Sequence, residues 1–183
     1  MYTQKAEIMD SKAISRAVAR ISFEIIEKNG GTDNLCVIGV LSRGACLADR
    51  IAKKLAEAEG KKVNVGFLDI TAFRDDRDVS LNHEDRSSID FSIADARVIL
   101  VDDVIFTGRS VRAAIDAIMA RGRPKCIQLA ALIDRGHREL PIRADFIGKN
   151  LPTSRDEIVK VSLTEIDSVD RVAIYSDDDI KES

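Results

Sequence analysis

Apolar side chains recur at helical spacing in three stretches of the chain. In the first stretch, the residues that fall on one helical face are Ile14, Val18, Ile21 and Ile25. This spacing predicts a helix over about residues 10–28, with Asp10 or Ser11 as its N-cap. Comparable patterns predict helices over residues 45–59 and 109–121. A glycine follows each predicted helix, as is common at helix C-termini.

Short apolar runs separate these helices and predict strands. The four longest runs cover residues 35–41, 63–70, 97–101 and 126–133. Shorter candidates lie near residues 144–147, 158–163 and 172–175. Strands that alternate with helices predict an α/β fold, in which a mostly parallel twisted sheet has helices on both faces. Ligands of such sheets bind at the carboxyl ends of the strands.

The segment over residues 71–96 has no sustained period and carries many charges of both signs. Structureless loops longer than about 15 residues are uncommon in compact domains and often act as lids. We therefore expect a lid in this segment, the alternative being a charged loop without a role.

The composition is that of a soluble, single-domain protein. Of 183 residues, 45% are hydrophobic and 32% are charged. The 28 Lys and Arg and 31 Asp and Glu give a formal net charge of −3, which argues against a globally basic nucleic-acid-binding protein but allows a local basic face. No apolar run approaches the roughly 20 residues of a membrane span, and no signal peptide is evident, so we expect a cytoplasmic protein without membrane association. The scattered cysteines, which predict reduced thiols more readily than a thiol nucleophile, are Cys36, Cys46 and Cys126.

A strand that ends in two adjacent acids is the strongest chemical signal of the sequence. Residues 98–110 read Val-Ile-Leu-Val-Asp-Asp-Val-Ile-Phe-Thr-Gly-Arg-Ser and lead into a predicted helix. The first N–H groups of a helix and its positive dipole end can hold a phosphate. Thr107 and Ser110 add hydroxyl donors, and Gly108 lets the backbone approach a ligand closely.

Asp102 and Asp103 must have a different role, because a carboxylate beside a phosphate would repel it. Carboxylates accept hydrogen bonds from sugar hydroxyls, or bind Mg²⁺ directly or through water. Phosphate capture next to hydroxyl recognition suits a ribose 5-phosphate. The block contains neither the GxxxxGK[ST] pattern of a Walker A loop nor the GxGxxG pattern of a dinucleotide site. The alternative is a solvated strand end followed by a helix cap.

This block resembles the phosphoribosyl-pyrophosphate (PRPP) binding motif of the type I phosphoribosyltransferases. Further motifs narrow the resemblance to the bifunctional pyrimidine operon attenuation regulator/uracil phosphoribosyltransferase (PyrR) family, and they lie at residues 4–6, 69–71, 74–76, 122–124, 134–145, 147–154 and 172–175. The resemblance covers nearly the whole chain except residues 77–96. It implies a type I phosphoribosyltransferase fold in a single domain over residues 1–183, with a flexible lid at about 71–96 and a small hood at about 134–165.

The resemblance also implies a reaction in which uracil and PRPP give UMP and pyrophosphate, with Mg²⁺ as cofactor. Asp102 and Asp103 would bind the ribose hydroxyls and Mg²⁺, and Arg74, followed by Asp75, Asp76 and Arg77, would act from the lid. The 5-phosphate would lie against Val104, Ile105, Phe106, Thr107, Gly108, Arg109 and Ser110. The residues expected at the pyrophosphate are Ser42, Arg43 and Gly44, and those expected at the base are Phe146, Ile147 and Lys149.

The PyrR family also binds the leader RNA of pyrimidine genes when UMP is present, and it forms dimers or rings of dimers. The resemblance implies the same partners here: uracil, PRPP, UMP or UTP, leader mRNA and further copies of the chain. Residues expected to contact RNA are Arg16, Arg20, His137, Arg138, Arg143 and Lys149. Ala19 and Phe23 depart from the Thr and His that the family often has, and Phe23 either stacks on a base or packs in a subunit interface.

Two other functions remain open at the level of sequence. One is an RNA-binding, nucleotide-sensing regulator with little enzymatic activity. The other is a purine phosphoribosyltransferase, since a base read through backbone groups leaves few side chains that identify it.

Overall fold

The order of helices and strands follows the predicted alternation. The computed structural model describes residues 2–76 and 83–177. The strands are β1 (Tyr2–Met9), β2 (Leu35–Val40), β3 (Asn64–Leu68), β4 (Arg97–Ile105), β5 (Cys126–Asp134), β6 (Phe146–Asn150), β7 (Glu157–Ser162) and β8 (Arg171–Asp177). The helices are α1 (Ser11–Asn29), α2 (Arg43–Glu59), α3 (Arg109–Met119) and α4 (Thr164–Asp167), and a 3₁₀ turn covers Thr71–Phe73.

Five parallel strands form the main sheet in the order β3-β2-β4-β5-β6. The central strand β4 pairs with β2 on one side and with β5 on the other. Every residue of β2 is buried, because packed layers cover both of its faces. All carboxyl ends meet at one edge of the sheet, and the turns after β2, β3, β4 and β5 leave from that edge.

Helices cover both faces of the main sheet, which confirms the predicted fold class. Helices α1 and α2 pack on one face, where the core includes Ile14, Ile21, Ile25, Leu47, Ile51 and Leu55. Helix α3 packs on the other face, where the core includes Val111, Ala114 and Ile118. Burial of these apolar faces supplies most of the stabilisation of the helices, since isolated helices of this length are marginal in water.

Helix α1 begins as the sequence predicts. The Asp10 carboxylate accepts the backbone N–H of Ala13 at 2.7 Å, which satisfies one of the free donors of the first turn. The helix has 19 residues, and its polar face is exposed. Within the described ranges, no helix combines the length and the apolarity that a bilayer span needs.

A second sheet has the antiparallel order β1-β8-β7. Strand β1 has no signal in the hydrophobic pattern, because most of its side chains are exposed and pairing with β8 holds it instead. Residues 134–165 therefore contribute to two sheets: β6 extends the main sheet, and β7 joins the second one.

Strand β4 is longer than its predicted run, residues 97–101, because pairing with β5 continues to Ile105 and Asp134. The two acids therefore lie inside the strand and not after it. The predicted lid is also more structured than expected, since Ser88 pairs with Phe67 beside β3. Residues 77–82 of this segment, including Arg77, lie outside the described residues.

Backbone contact between β2 and α2 sets the position of the turn that joins them. A Cβ on Gly39 would lie 2.3 Å from the Gly44 carbonyl oxygen and 2.6 Å from the Cα of Ala45. A Cβ on Gly44 would in turn lie 2.7 Å from the Val101 carbonyl oxygen. The start of α2 thus lies directly on β2 and β4, beside the two acids.

Gly39→Ala should destabilise the protein by about 1–3 kcal/mol, because the added methyl overlaps backbone atoms that cannot move aside easily. Gly122→Ala is the matched control, since its Cβ would meet the flexible Ile93 side chain at 3.1 Å. Urea unfolding of both variants measures the difference. Equal losses of unfolding free energy in the two variants would show that β2 and α2 can move apart at no cost in stability.

Candidate active site

The carboxyl end of β4 places two adjacent carboxylates at the sheet edge. Asp102 is 7% exposed and Asp103 is half-buried. The Asp103 N–H donates to Oδ1 of Asp102 at 2.9 Å, and the Val104 N–H donates to Oδ1 of Asp103 at the same distance. One oxygen of each carboxylate is thereby held by backbone, and the two carboxyl groups are also hydrogen-bonded to each other.

Burial raises the pKa of Asp102 well above its usual range, and the neighbouring charge of Asp103 raises it further. Burial also raises the pKa of Asp103, against hydrogen bonds from the Asp102 carboxyl group and the adjacent backbone and against the positive charge of Arg43. Two carboxyl groups so close together cannot both ionise at low cost. The pair therefore favours a ligand that brings hydroxyl donors or a cation.

The turn after β4 encloses a cavity of about 350 Å³. Gly108 has a left-handed φ of 94° and leads directly into α3, whose first N–H groups open on this cavity. The predicted phosphate residues all line it, namely Val104, Ile105, Phe106, Thr107, Gly108, Arg109 and Ser110. The structure thus brings the whole predicted group together around one helix N-terminus.

The arginines of this first cavity are already paired with acids. Arg74 donates to the Ser110 hydroxyl at 2.8 Å and also binds Asp76. Arg109 binds Glu139 at 2.7 Å and Asp75 at 3.0 Å. These pairs keep the guanidinium groups at the cavity wall. Sequence reasoning did not assign Glu139 to this cavity, although Glu139 lies in the motif at residues 134–145.

A second cavity of about 350 Å³ lies on the other side of the acids and shares Arg74, Asp102, Val104 and Ser110 with the first. Its wall includes the turn after β2, where Ser42, Arg43 and Gly44 were predicted. The peptide bond between Leu41 and Ser42 in this turn is cis. The two cavities are therefore adjacent, with the four shared residues in their common wall.

Arg43 is held at the second cavity by a residue that the sequence did not indicate. Its Nη2 lies 2.8 Å from Oδ1 of Asp167, and its Nε lies 3.2 Å from Oδ2 of the same carboxylate. Asp167 also accepts the backbone N–H of Leu163 at 2.9 Å, so helix α4 is fixed at this point. Helix α4 has four residues, too few for a detectable period.

Phe146 does not border either cavity. Its side chain is 3% exposed and packs in the core between the sheet and α1, with the Lys28 ammonium 5.4 Å from the ring centre. This placement corrects the expectation that Phe146 lies against a base. Ile147 is partly buried and packs toward the core on the α3 side, and Lys149 is exposed.

Phe106 is the aromatic residue that does line the first cavity. The Arg135 guanidinium lies 4.1 Å from its ring centre, and the His137 ring meets it edge-on at 5.9 Å. Arg135 is only 6% exposed, so this contact is a fixed part of the cavity wall. The sequence indicated Phe106 only as a member of the phosphate block.

The residues predicted to contact RNA divide into two groups. Arg16, Arg143 and Lys149 are exposed on α1 and beside or on β6. Arg20 is exposed as well, but it donates to the carbonyls of Ile147 at 3.1 Å and Gly148 at 2.5 Å. This contact joins α1 to β6, so the exposed cations lie on neighbouring elements.

His137 and Arg138 are partly buried. Arg138 donates to the carbonyls of Phe106 at 2.9 Å and Ile142 at 2.8 Å and to Asp134 at 2.6 Å. The His137 ring nitrogen Nε2 lies 2.5 Å from the Thr153 carbonyl oxygen. Backbone acceptors and Asp134 hold both side chains at the phosphate turn, and the expected contact of these two residues with RNA stays a prediction.

Comparisons with known proteins agree with this geometry. The family model of the phosphoribosyl transferase domain matches residues 4–168. A protein of Acetivibrio thermocellus named "Bifunctional protein PyrR" is 60% identical over 93% of this chain and 94% of its own length. One of the same name from Deinococcus radiodurans is 54% identical over 99% of this chain and all of its own. The chain belongs to the PyrR family. It is a phosphoribosyltransferase of the type that the sequence motifs indicated.

Solved structures show how far this fold extends beyond the PyrR family. The hypoxanthine phosphoribosyltransferase of Trypanosoma cruzi is 16% identical with a TM-score of 0.71, over 94% of this chain and 97% of that one. The Staphylococcus aureus hypoxanthine enzyme is 17% identical with a TM-score of 0.69, over 97% of this chain and 95% of that one. At this identity the match confirms the type I phosphoribosyltransferase fold and says nothing of the base.

Asp102→Asn should lower kcat/KM for phosphoribosyl transfer by about 100-fold while making the folded protein more stable at neutral pH. The folded state raises the pKa of Asp102, so the wild type loses stability as pH rises from the unfolded pKa toward the folded one. Asn cannot ionise and avoids this loss. The stability advantage of the variant should therefore widen as pH rises from about 4 toward neutrality.

Thermal unfolding across this pH range, together with initial rates, measures both effects. Exposed Asp90, replaced by Asn, is the control and should change neither rate nor pH dependence. A variant that keeps full activity, or whose stability advantage is constant with pH, would contradict the role given to Asp102.

Proposed function

We propose that the protein is a uracil phosphoribosyltransferase that also binds pyrimidine-gene leader RNA in the presence of UMP. The observation that carries the enzymatic part is the pair of adjacent cavities on either side of Asp102. A helix N-terminus lies at one end, an arginine-bearing turn at the other, and a carboxylate pair between them. PRPP has the same order of groups: a 5-phosphate, ribose hydroxyls and a pyrophosphate.

The carboxylate pair suits Mg²⁺ that arrives with PRPP. Asp102 and Asp103 offer hard oxygen ligands, and Mg²⁺ is commonly bound by one or two carboxylates together with phosphate oxygens of the substrate. Over residues 2–76 and 83–177, no group of three or more His, Cys, Asp or Glu could form a complete protein cage for a metal. When bound there, Mg²⁺ would offset the charge of the pyrophosphate.

The proposed reaction exchanges one bond at C1 of the ribose. The bond from C1 to the pyrophosphate oxygen breaks, a bond from C1 to N1 of uracil forms, and the N1 proton is released. Asp102 and Asp103 would hold the ribose hydroxyls, α3 the 5-phosphate, and Arg43 the departing pyrophosphate. Fixed donors and charges of this kind act mainly by positioning and electrostatic stabilisation.

Uracil would lie in the first cavity with Phe106 at its apolar wall. The backbone of Ile147 and the side chain of Lys149 on β6 lie outside the lining of this cavity, and their contact with the base edge stays a prediction from the family resemblance. The choice of uracil is supported by membership in the PyrR family. The polar side chains of the cavity are assigned to the phosphate, the ribose and their ion pairs, so they do not identify the base.

With PRPP and Mg²⁺, radiolabelled uracil should be converted to UMP at least 100-fold faster than hypoxanthine or guanine is converted to its nucleotide, a selectivity within reach of a site that hydrogen-bonds the base. Product formation by thin-layer chromatography measures this. Preferred use of hypoxanthine would establish a purine enzyme instead. RNA binding with negligible turnover on every base would establish a regulator with little enzymatic activity.

The proposed RNA surface comprises the exposed cations Arg16, Arg20, Arg143 and Lys149, together with the partly buried His137 and Arg138. It lies on α1 and around β6, which the Arg20 contacts join. Phe23 is 63% exposed on α1 and offers a ring for stacking or for a subunit interface. Further proposals that follow from the PyrR relatives are control by UMP or UTP, a homo-oligomer and a cytoplasmic location.

Arg143→Gln and Lys149→Gln should each weaken leader-RNA binding and lower the slope of log affinity against log salt by about one, as expected for a lost phosphate contact. Gel shifts with UMP at several salt concentrations measure this. Lys53→Gln on α2 removes an exposed cation outside the proposed surface and is the control. Unchanged RNA affinity in both variants would place the RNA elsewhere.

A further inference from the structure

The second cavity contains an arginine that the sequence motifs did not indicate. Arg86 lines this cavity together with the turn over residues 42–44 and Arg74. It follows the part of the chain that the structure leaves undescribed and precedes Ser88, whose N–H and carbonyl pair with Phe67 at 2.8 and 2.9 Å. Arg86 is thereby anchored close to the end of β3.

A buried carboxylate orients the Arg86 side chain. Its Nε lies 3.0 Å from Oδ2 of Asp69, whose side chain is 3% exposed. Asp69 also accepts the N–H and the hydroxyl of Thr71 at 3.0 and 2.6 Å, and the His83 ring lies 3.3 Å away. Burial would raise the pKa of Asp69, but the hydrogen bonds from Thr71 and Arg86 outweigh it and keep the pKa below its usual value.

The remaining donors of Arg86 are available. Its side chain is 67% exposed, and within the described residues Asp69 is the acceptor that its guanidinium contacts. Arg43 and Arg74 in the same cavity are each paired with a carboxylate, Asp167 and Asp76. Among the described residues, the ion pair of Arg86 is made through Nε. Its terminal nitrogens can therefore bind a ligand while Nε stays on Asp69.

We propose that Arg86 binds the pyrophosphate group of PRPP, with Asp69 as its positioning residue. This rests on the proposed function, in which the second cavity receives pyrophosphate. Pyrophosphate carries several negative charges, whereas this cavity also contains the carboxylates Asp69, Asp102 and Asp103. A guanidinium can bind phosphate oxygens through two parallel hydrogen bonds. The positive charge of Arg86 offsets the negative charge of these carboxylates, which would otherwise repel pyrophosphate.

Arg86→Gln should weaken binding of inorganic pyrophosphate with Mg²⁺ by about tenfold and raise KM for PRPP by a similar factor, as expected for loss of one charge-assisted hydrogen bond at an exposed site. KM for uracil should stay unchanged. The matched control is Arg121→Gln, which breaks the ion pair between Arg121 and Asp85 beside the same segment but removes no cavity residue. Isothermal titration calorimetry with pyrophosphate and initial-rate kinetics provide the two readouts.

Asp69→Asn tests the positioning role in a double-mutant cycle. If Asp69 acts by orienting Arg86, the effect of Arg86→Gln on pyrophosphate affinity should shrink to less than about threefold when it is introduced into the Asp69→Asn variant. A full tenfold effect in that variant, as in the wild type, would restrict the proposal to Arg86 alone and overturn the role of Asp69.

The measurements of pyrophosphate affinity test the Arg86 site independently of which base the enzyme uses. Absence of uracil turnover with an Arg86-dependent pyrophosphate affinity would overturn the uracil assignment and support the Arg86 site. Equal pyrophosphate affinities and equal PRPP KM values for the wild type and Arg86→Gln would overturn the Arg86 site. Loss of affinity in Arg121→Gln as well would show that only the shape of the segment matters, and would also overturn it.

Discussion

Two carboxylates side by side at the end of a buried strand are the constraint on which the rest of this molecule depends. Asp102 and Asp103 lie in the central strand β4, paired on both sides, and burial raises the pKa of each. A fold tolerates such a pair only where backbone donors, nearby cations or a ligand compensate for lost water. The N–H groups of Asp103 and Val104 supply part of this, and Arg43 lies close enough to supply more.

The cations around the acids are held in place by other acids. Arg43 is fixed by Asp167, Arg74 by Asp76, and Arg109 by Asp75 and Glu139. Exposed pairs of this kind add little stability, commonly less than about 1 kcal/mol each. Their main effect is to position the arginine side chains. A guanidinium that already points along the cavity wall loses less conformational entropy when an anionic ligand binds.

The sequence predicted the parts of the site that are contiguous in the chain. Residues 98–110 contain the acids, the turn and the helix start, and the structure keeps them together. Contacts between distant segments could not be predicted. Asp167 lies 124 positions from Arg43, and Phe146 was assigned to the base although its strand turns that ring into the core. Strand β1 escaped detection because pairing with β8, and not burial, defines it.

Hydrogen bonds of Arg138 link the proposed active site to the proposed RNA surface. One guanidinium binds the carbonyl of Phe106 in the phosphate turn, the carbonyl of Ile142 and the carboxylate of Asp134 at the end of β5. The segment between Arg138 and Lys149, with its exposed cations, is therefore joined to the wall of the first cavity by hydrogen bonds of 2.6–2.9 Å. A nucleotide that fixes the turn at Phe106 fixes this segment with it. In the proposed function, UMP would favour RNA binding by this physical connection, which requires no contact between the nucleotide and the RNA.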